Sequence, residues 1–184
     1  MPRRILFMVC FVLAACTGTP DRFAVAPPVP EARQAIVFGA VEISDVTLPA
    51  YAAADEIPRL DADGRVISDG SVLWADTPDR AIELELARLL GEITGARVAS
   101  APWPFEAFPN ARLEVRFETL LARPDGRFQA RGQYFVAVTD ALERSGRFDL
   151  SVPYDTEAGP QAIAMARGQA VADLALFIAR NGLR

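Results

Sequence analysis

Four carboxylates, Asp61, Asp63, Asp69 and Asp76, lie close together and are the densest acid–base inventory of this chain. Paired carboxylates can divide general-acid and general-base work when their surroundings push their protonation apart. Here they sit in Asp61-Ala62-Asp63-Gly64 and Asp69-Gly70, sequences in which Asp ordinarily forms solvated turns. The turn reading leads, and an acid–base pair is its alternative. The chain has no His, which removes the commonest general base, the Ser-His-Asp triad and the usual zinc sites. A metal site would need carboxylates alone, and no Asp-rich loop has calcium spacing. No catalytic residue, cofactor or metal is expected, and the chain does not read as an enzyme.

The remaining reactive side chain is the thiol of Cys16. Met1-Pro2-Arg3-Arg4 is a basic head, Ile5 to Ala15 is an unbroken apolar run, and Leu13-Ala14-Ala15-Cys16 closes it. The run has signal-peptide length and is too short to span a bilayer as a mature helix. Small residues followed by Cys resemble the lipobox, in which the thiol receives a diacylglyceryl group and the chain is cut just before it. An ordinary secretory signal with an incidental Cys is the alternative. Each buried acyl methylene, in palmitate or a similar chain, contributes about 0.8 kcal/mol, so two or three chains anchor firmly. Cys10 lies within the run and leaves with it, so no disulfide is expected in the mature chain. Thr17 follows the lipidated position where Asp would retain a lipoprotein at the inner membrane. The expected location is therefore the periplasmic face of the outer membrane.

Removing 15 of the 184 residues leaves 169, enough for one domain with a real core. Of 19 basic residues, all Arg, two lie in the leader, leaving 17 against 24 acidic residues and a formal charge of −7. An acidic chain with scattered Arg argues against nucleic acid as a partner.

Three parts follow: a signal over 1–15, the lipidated Cys with a Pro-rich extended tether over 16–34, and a domain over 35–184. The tether holds Pro20, Pro27, Pro28 and Pro30, with an edge strand over Phe23 to Val25. Ala35 to Ile43 predicts a strand covered on both faces, and Val46 to Asp63 no continuous element. Arg65-Val66-Ile67 and Ser71-Val72-Leu73-Trp74 predict a hairpin around Asp69-Gly70. Thr77 as N-cap, Pro78 at the first position, and Ile82, Leu86, Leu89, Leu90 and Ile93 at helical spacing predict a helix over 78–94 ended by Gly95. Val98-Ala99 starts a strand broken by Pro102-Trp103-Pro104, whose Trp103 is read as core packing. Strict alternation over 112–118 and 127–134 around Pro124-Asp125-Gly126 predicts an antiparallel hairpin. Ser145-Gly146 predicts a further turn before a strand over 148–152. A helix over 160–181 carries Ile163, Ala166, Ala170, Leu174, Phe177 and Ile178 as its apolar stripe. The fold class is α+β: one domain, an antiparallel-rich mixed sheet with two helices packed on one face.

Val46-Thr47-Leu48-Pro49-Ala50-Tyr51, then a β-hairpin ending Leu73-Trp74-Ala75-Asp76, then Pro78 and a leucine-rich helix, resembles the PqiC-like auxiliary lipoproteins. The similarity runs from about Ile36 to Ile178 and includes Pro102-Trp103-Pro104. Ala52 stands where that family usually has Leu, and Arg22-Phe23-Ala24-Val25 matches its aromatic-x-Leu start only loosely. The resemblance implies an auxiliary component of an ABC-type system that moves lipid between two membranes. It would dock on an MCE-domain periplasmic protein and form a homo-oligomeric ring. It makes Leu48, Pro49, Tyr51, Trp74 and Ala75 candidates for the interface between copies or with the partner. For Tyr51 and Trp74, plugging the local core is the competing role, with Trp74 placed as a hydrophobic staple. A structural or assembly lipoprotein without a role in lipid transfer is the alternative function.

Overall fold

The protein is described by a computed structural model covering residues 18–138 and 142–184. Thr77-Pro78-Asp79 starts a helix where the sequence places one, α2 at Pro78–Thr94, and Gly95 closes it in the left-handed conformation at φ 72°. Such a helix end favours Gly, which has no Cβ to strain there. Ile82, Leu86, Leu89, Leu90 and Ile93 are all buried. The second long helix, α3 at Pro160–Asn181, buries more than one stripe because it lies between the sheet, α2 and an N-terminal segment. Its composition would suit a membrane span, yet most of it is interior.

These helices cover one face of a sheet whose longest ladders are antiparallel. β7 (Ala111–Ala122) pairs along its length with β8 (Arg127–Val138), which pairs antiparallel with β9 (Arg144–Pro153). On its other side β7 runs parallel to β2 (Ala40–Thr47), and β2 parallel to β6 (Arg97–Ser100). Leu113, Val115 and Phe117 face the helices, while Arg112, Arg116 and Glu118 face water, as strand alternation demands. A bulge at Glu118 resets the alternation, so Leu120 also points inward. Gly132 lies opposite Phe117, and a Cβ there would stand 2.1 Å from the Arg116 carbonyl oxygen. The expected α+β class holds, with one addition, the single-turn helix α1 at Ala50–Ala53.

Three local expectations are corrected. The two short strands do not pair with each other. β4 (Val66–Ile67) joins β3 (Arg59–Leu60), whereas β5 (Val72–Trp74) pairs parallel with β1 (Asp21–Phe23) in a separate two-stranded sheet. The Asp69-Gly70 turn therefore separates two partnerships. Ser145-Gly146 is not a turn but lies inside β9, where Gly146 makes room for the ring of Tyr134; a Cβ would stand 2.5 Å from its Oη. The strand expected over 35–43 starts only at Ala40 and continues to Thr47.

The residues before β2 form a strap along the helices. Pro27 is buried beside Gly168, where a Cβ would meet Pro27 Cα and Val25 Cγ1 at 3.2 Å. Arg88 Nη2 donates to the Pro27 carbonyl at 3.1 Å, and Gln34 N donates to Ile93 O at 2.9 Å. Val37 N donates to Leu183 O at 3.1 Å. The strap thus runs from the end where α2 and α3 begin to the end where they stop.

Candidate functional site

The four Asp residues do not assemble an acid–base pair. Asp61 accepts from the backbone N–H of Asp63 and Arg65, and its carboxylate binds the Arg65 side chain at 2.8 Å. Asp63 shares that guanidinium at 3.1 Å. Asp69 accepts from the Ser71 backbone and hydroxyl, and Asp76 from Thr77 N and the Arg80 guanidinium. These bonds hold the Asp61 and Asp69 carboxyls below the usual carboxylate range, chiefly through Arg65 and Ser71. Each Asp stabilises its own turn or ion pair.

The interface candidates divide by depth. Trp74 is 3% exposed and belongs to the core. Leu48 and Tyr51 are half-buried against that core, and Tyr51 Oη accepts from Leu120 N at 3.4 Å. Pro49 is half-buried, and Ala75 is exposed. Cys16 lies outside the described residues.

Two arrangements stand out that composition alone did not reveal. The first is an apolar end. β2, β6, β7 and β9 all begin there and β8 stops there. Val37 is 67% exposed, Phe105 43%, Phe108 84% and Leu142 88%. Neighbouring bonds bring them to one place: Ala40 and Asn110 exchange hydrogen bonds, Arg144 reaches the Gly182 and Arg184 carbonyls and stacks on Phe38. Glu42, buried in β2, fixes the loop that carries the two Phe residues. Its carboxylate accepts from Trp103 N at 3.1 Å and Arg112 Nε at 2.8 Å. Trp103 Nε1 donates to Ala107 O at 2.6 Å, and the Trp103 ring meets Phe105 edge-on at 5.0 Å, with Arg97 over Phe105. Trp103 therefore packs within this loop and not in the main core, which corrects the core reading. Large exposed apolar side chains held in an ordered loop are a common mark of a docking surface.

The second is a buried ion pair at the other end. Arg167 of α3 is 2% exposed, and its Nη2 reaches both carboxylate oxygens of Glu85 on α2 at 3.3 and 3.4 Å. Its guanidinium lies 5.1 Å from the centroid of the Trp74 ring, a cation–π contact. Burial pushes the Glu85 carboxyl up to about 7, against the pull of Arg167 and Arg88. The same burial lowers the Arg167 pKa, with Glu85 opposing it. Arg167 Nε is buried with no hydrogen-bond partner among the described residues. A cavity of about 240 Å³ opens here, lined by Phe23, Val25, Asp76, Leu84, Glu85 and Arg167 among others. The sequence holds one signal for this pair: Arg167 sits four residues after Ile163 and three before Ala170, on the buried stripe itself.

Residues 23–179 match the family described as ABC-type transport auxiliary lipoprotein component. Among curated proteins, none matches the sequence. A solved structure of a protein described as uncharacterized is similar at TM-score 0.69 and 17% identity, covering 87% of this chain and 98% of its own. A Xanthomonas campestris protein of the DUF330 family is similar at TM-score 0.64 and 15% identity, covering 85% and 91%. These two likenesses show the fold.

Proposed function

We propose, for a chain that belongs to the family of ABC-type transport auxiliary lipoprotein components, that it is anchored through lipidated Cys16 at the periplasmic face of the outer membrane. From there it docks on the MCE-domain protein of its transport system, completing a path for lipid between the membranes. The observation that carries this reading is the position of the apolar end. From Cys16 to Asp21, the first strand residue, the chain spans at most about 17 Å, so the lipid holds the β1 end of the domain near the bilayer. Phe108, Leu142 and Val37 lie at the opposite end, beyond the length of α2, about 25 Å. Such an apolar surface faces away from the anchoring membrane and suits a protein partner in the periplasm.

Copies of the chain are proposed to join as a ring, with Leu48, Pro49, Tyr51 and Ala75 in the contact and Trp74 supporting them from beneath; this part rests on the family resemblance. The test is co-purification of the lipidated protein with the neighbouring MCE protein, for the parent and for Phe108→Asp with Leu142→Asp. The parent is expected to recover the partner and the double variant to lose at least tenfold, with unchanged thermal unfolding. Recovery by both overturns the docking surface. Recovery by neither, with a monomeric mass, favours the structural or assembly role.

A further inference from the structure

The cavity beside Arg167 has a charge pattern that selects among ligands. Its wall carries one guanidinium, Arg167, and two carboxylates, Glu85 and Asp76. A ligand with net negative charge meets the carboxylates, and a purely cationic one meets the guanidinium. Nη2 is engaged by Glu85 on one side of the guanidinium, which leaves the rest of the group without a carboxylate partner among the described residues. Asp76 stands nearer the solvent, 45% exposed and paired with Arg80. Phe23, Val25 and Leu84 add apolar wall. The complement of this arrangement is a zwitterion with an oxyanion at depth, an ammonium at the mouth and an apolar continuation.

We propose that this cavity receives a phosphoethanolamine group, with a phosphate oxygen accepting from the Arg167 guanidinium and the ammonium beside Asp76. The group is supplied either by an aminophospholipid or by its soluble ester. The choice of a lipid source rests on the transport reading above; the chemistry of the cavity does not. The apolar wall at Phe23 and Leu84 favours the lipid, whose glycerol and first methylenes it covers.

Trp74 reports the site directly, because its ring lies under Arg167 and the chain holds 2 Trp residues. In a Trp103→Phe background, the lipidated protein in detergent micelles is titrated with glycerophosphoethanolamine, with glycerophosphoglycerol, and with micelles doped with phosphatidylethanolamine or phosphatidylglycerol. The ethanolamine forms are expected to shift Trp74 emission at concentrations at least tenfold below the glycerol forms. A response to doped micelles but not to the soluble ester identifies the lipid; equal responses identify the free ester. Asp76→Asn is expected to abolish the preference for ethanolamine while leaving the fold intact, and Ala81→Phe, at the cavity wall, to abolish binding. Arg167→Gln serves as a further variant if it folds. No shift with any ligand, or equal affinity for the anionic forms, overturns the proposal. Recovery of the MCE protein by Asp76→Asn and Ala81→Phe is measured alongside, so failure here is distinguishable from failure of the docking reading.

Discussion

Glu85→Gln tests whether the buried pair costs the fold stability. Burial raises the Glu85 carboxyl from its ordinary 4.5 to about 7 in the folded protein, and its side chain is only 12% exposed. Between those values the folded state holds a proton that the unfolded state has lost. The folded state then binds more protons, so stability falls as pH rises through this window. Below about 4.5 both states are protonated and the group contributes nothing. Above 7 the full penalty is present, and the gap between the two values corresponds to about 3 kcal/mol. Urea unfolding of the parent and Glu85→Gln at pH 5, 6, 7 and 8 reads it. The difference between the two curves is expected to change by up to about 3 kcal/mol across this range, because Gln does not titrate. Glu85→Leu with Arg167→Met is expected to match or exceed the parent at pH 8, since apolar replacements of a buried ion pair are often neutral or stabilising. Parallel pH profiles for parent and Glu85→Gln would show that the carboxylate is not desolvated and refute the reasoning.

Gly132→Ala is expected to destabilise by more than about 3 kcal/mol or to shift the β7–β8 register, because its Cβ would stand 2.1 Å from a backbone oxygen; chemical denaturation with amide exchange across the hairpin distinguishes the two. Gly168→Val is expected to lift the strap from α3 and speed proteolysis between residues 25 and 35, where a Cβ already meets Pro27 and Val25 at 3.2 Å; unchanged cleavage counts against a packed strap. Cys16→Ser is expected to move the protein from the membrane to the soluble periplasmic fraction, and membrane fractionation equal to the parent's excludes the lipid as main anchor.

Local chemistry made the helices and the long hairpin legible. Thr77-Pro78-Asp79 and Gly95 are start and stop signals that act within one turn, and the 112–118 alternation needs only its own period. The partners of Val66-Ile67 and Val72-Leu73-Trp74 were not legible, because strands of two or three residues carry too little pattern to choose a mate. β5 takes one some fifty residues upstream. Gly146 misled for a related reason: Gly signals a turn locally, yet here it answers the bulk of Tyr134 across the sheet. The site was less visible still. Arg167 carries no chemical signal in the sequence beyond its spacing, which places it on the core stripe of α3. Phe108 is exposed through the return path of a loop fixed by Glu42, a contact between residues some sixty positions apart.

The strap gives the domain a mechanical character. A tug on the N-terminus enters through β1, which lies parallel to β5 and is held by Asp21 N to Ser71 O, Ala75 N to Phe23 O and Arg22 Nη1 to Trp74 O. Force along that direction loads these bonds in shear, together and not one after another. Should they part, the load passes in series to Arg88 on Pro27, Gln34 on Ile93 and Val37 on Leu183. Each residue let go lengthens the leash by about 3.5 Å, so the N-terminal segment can pay out tens of ångströms before the seven-stranded sheet is loaded.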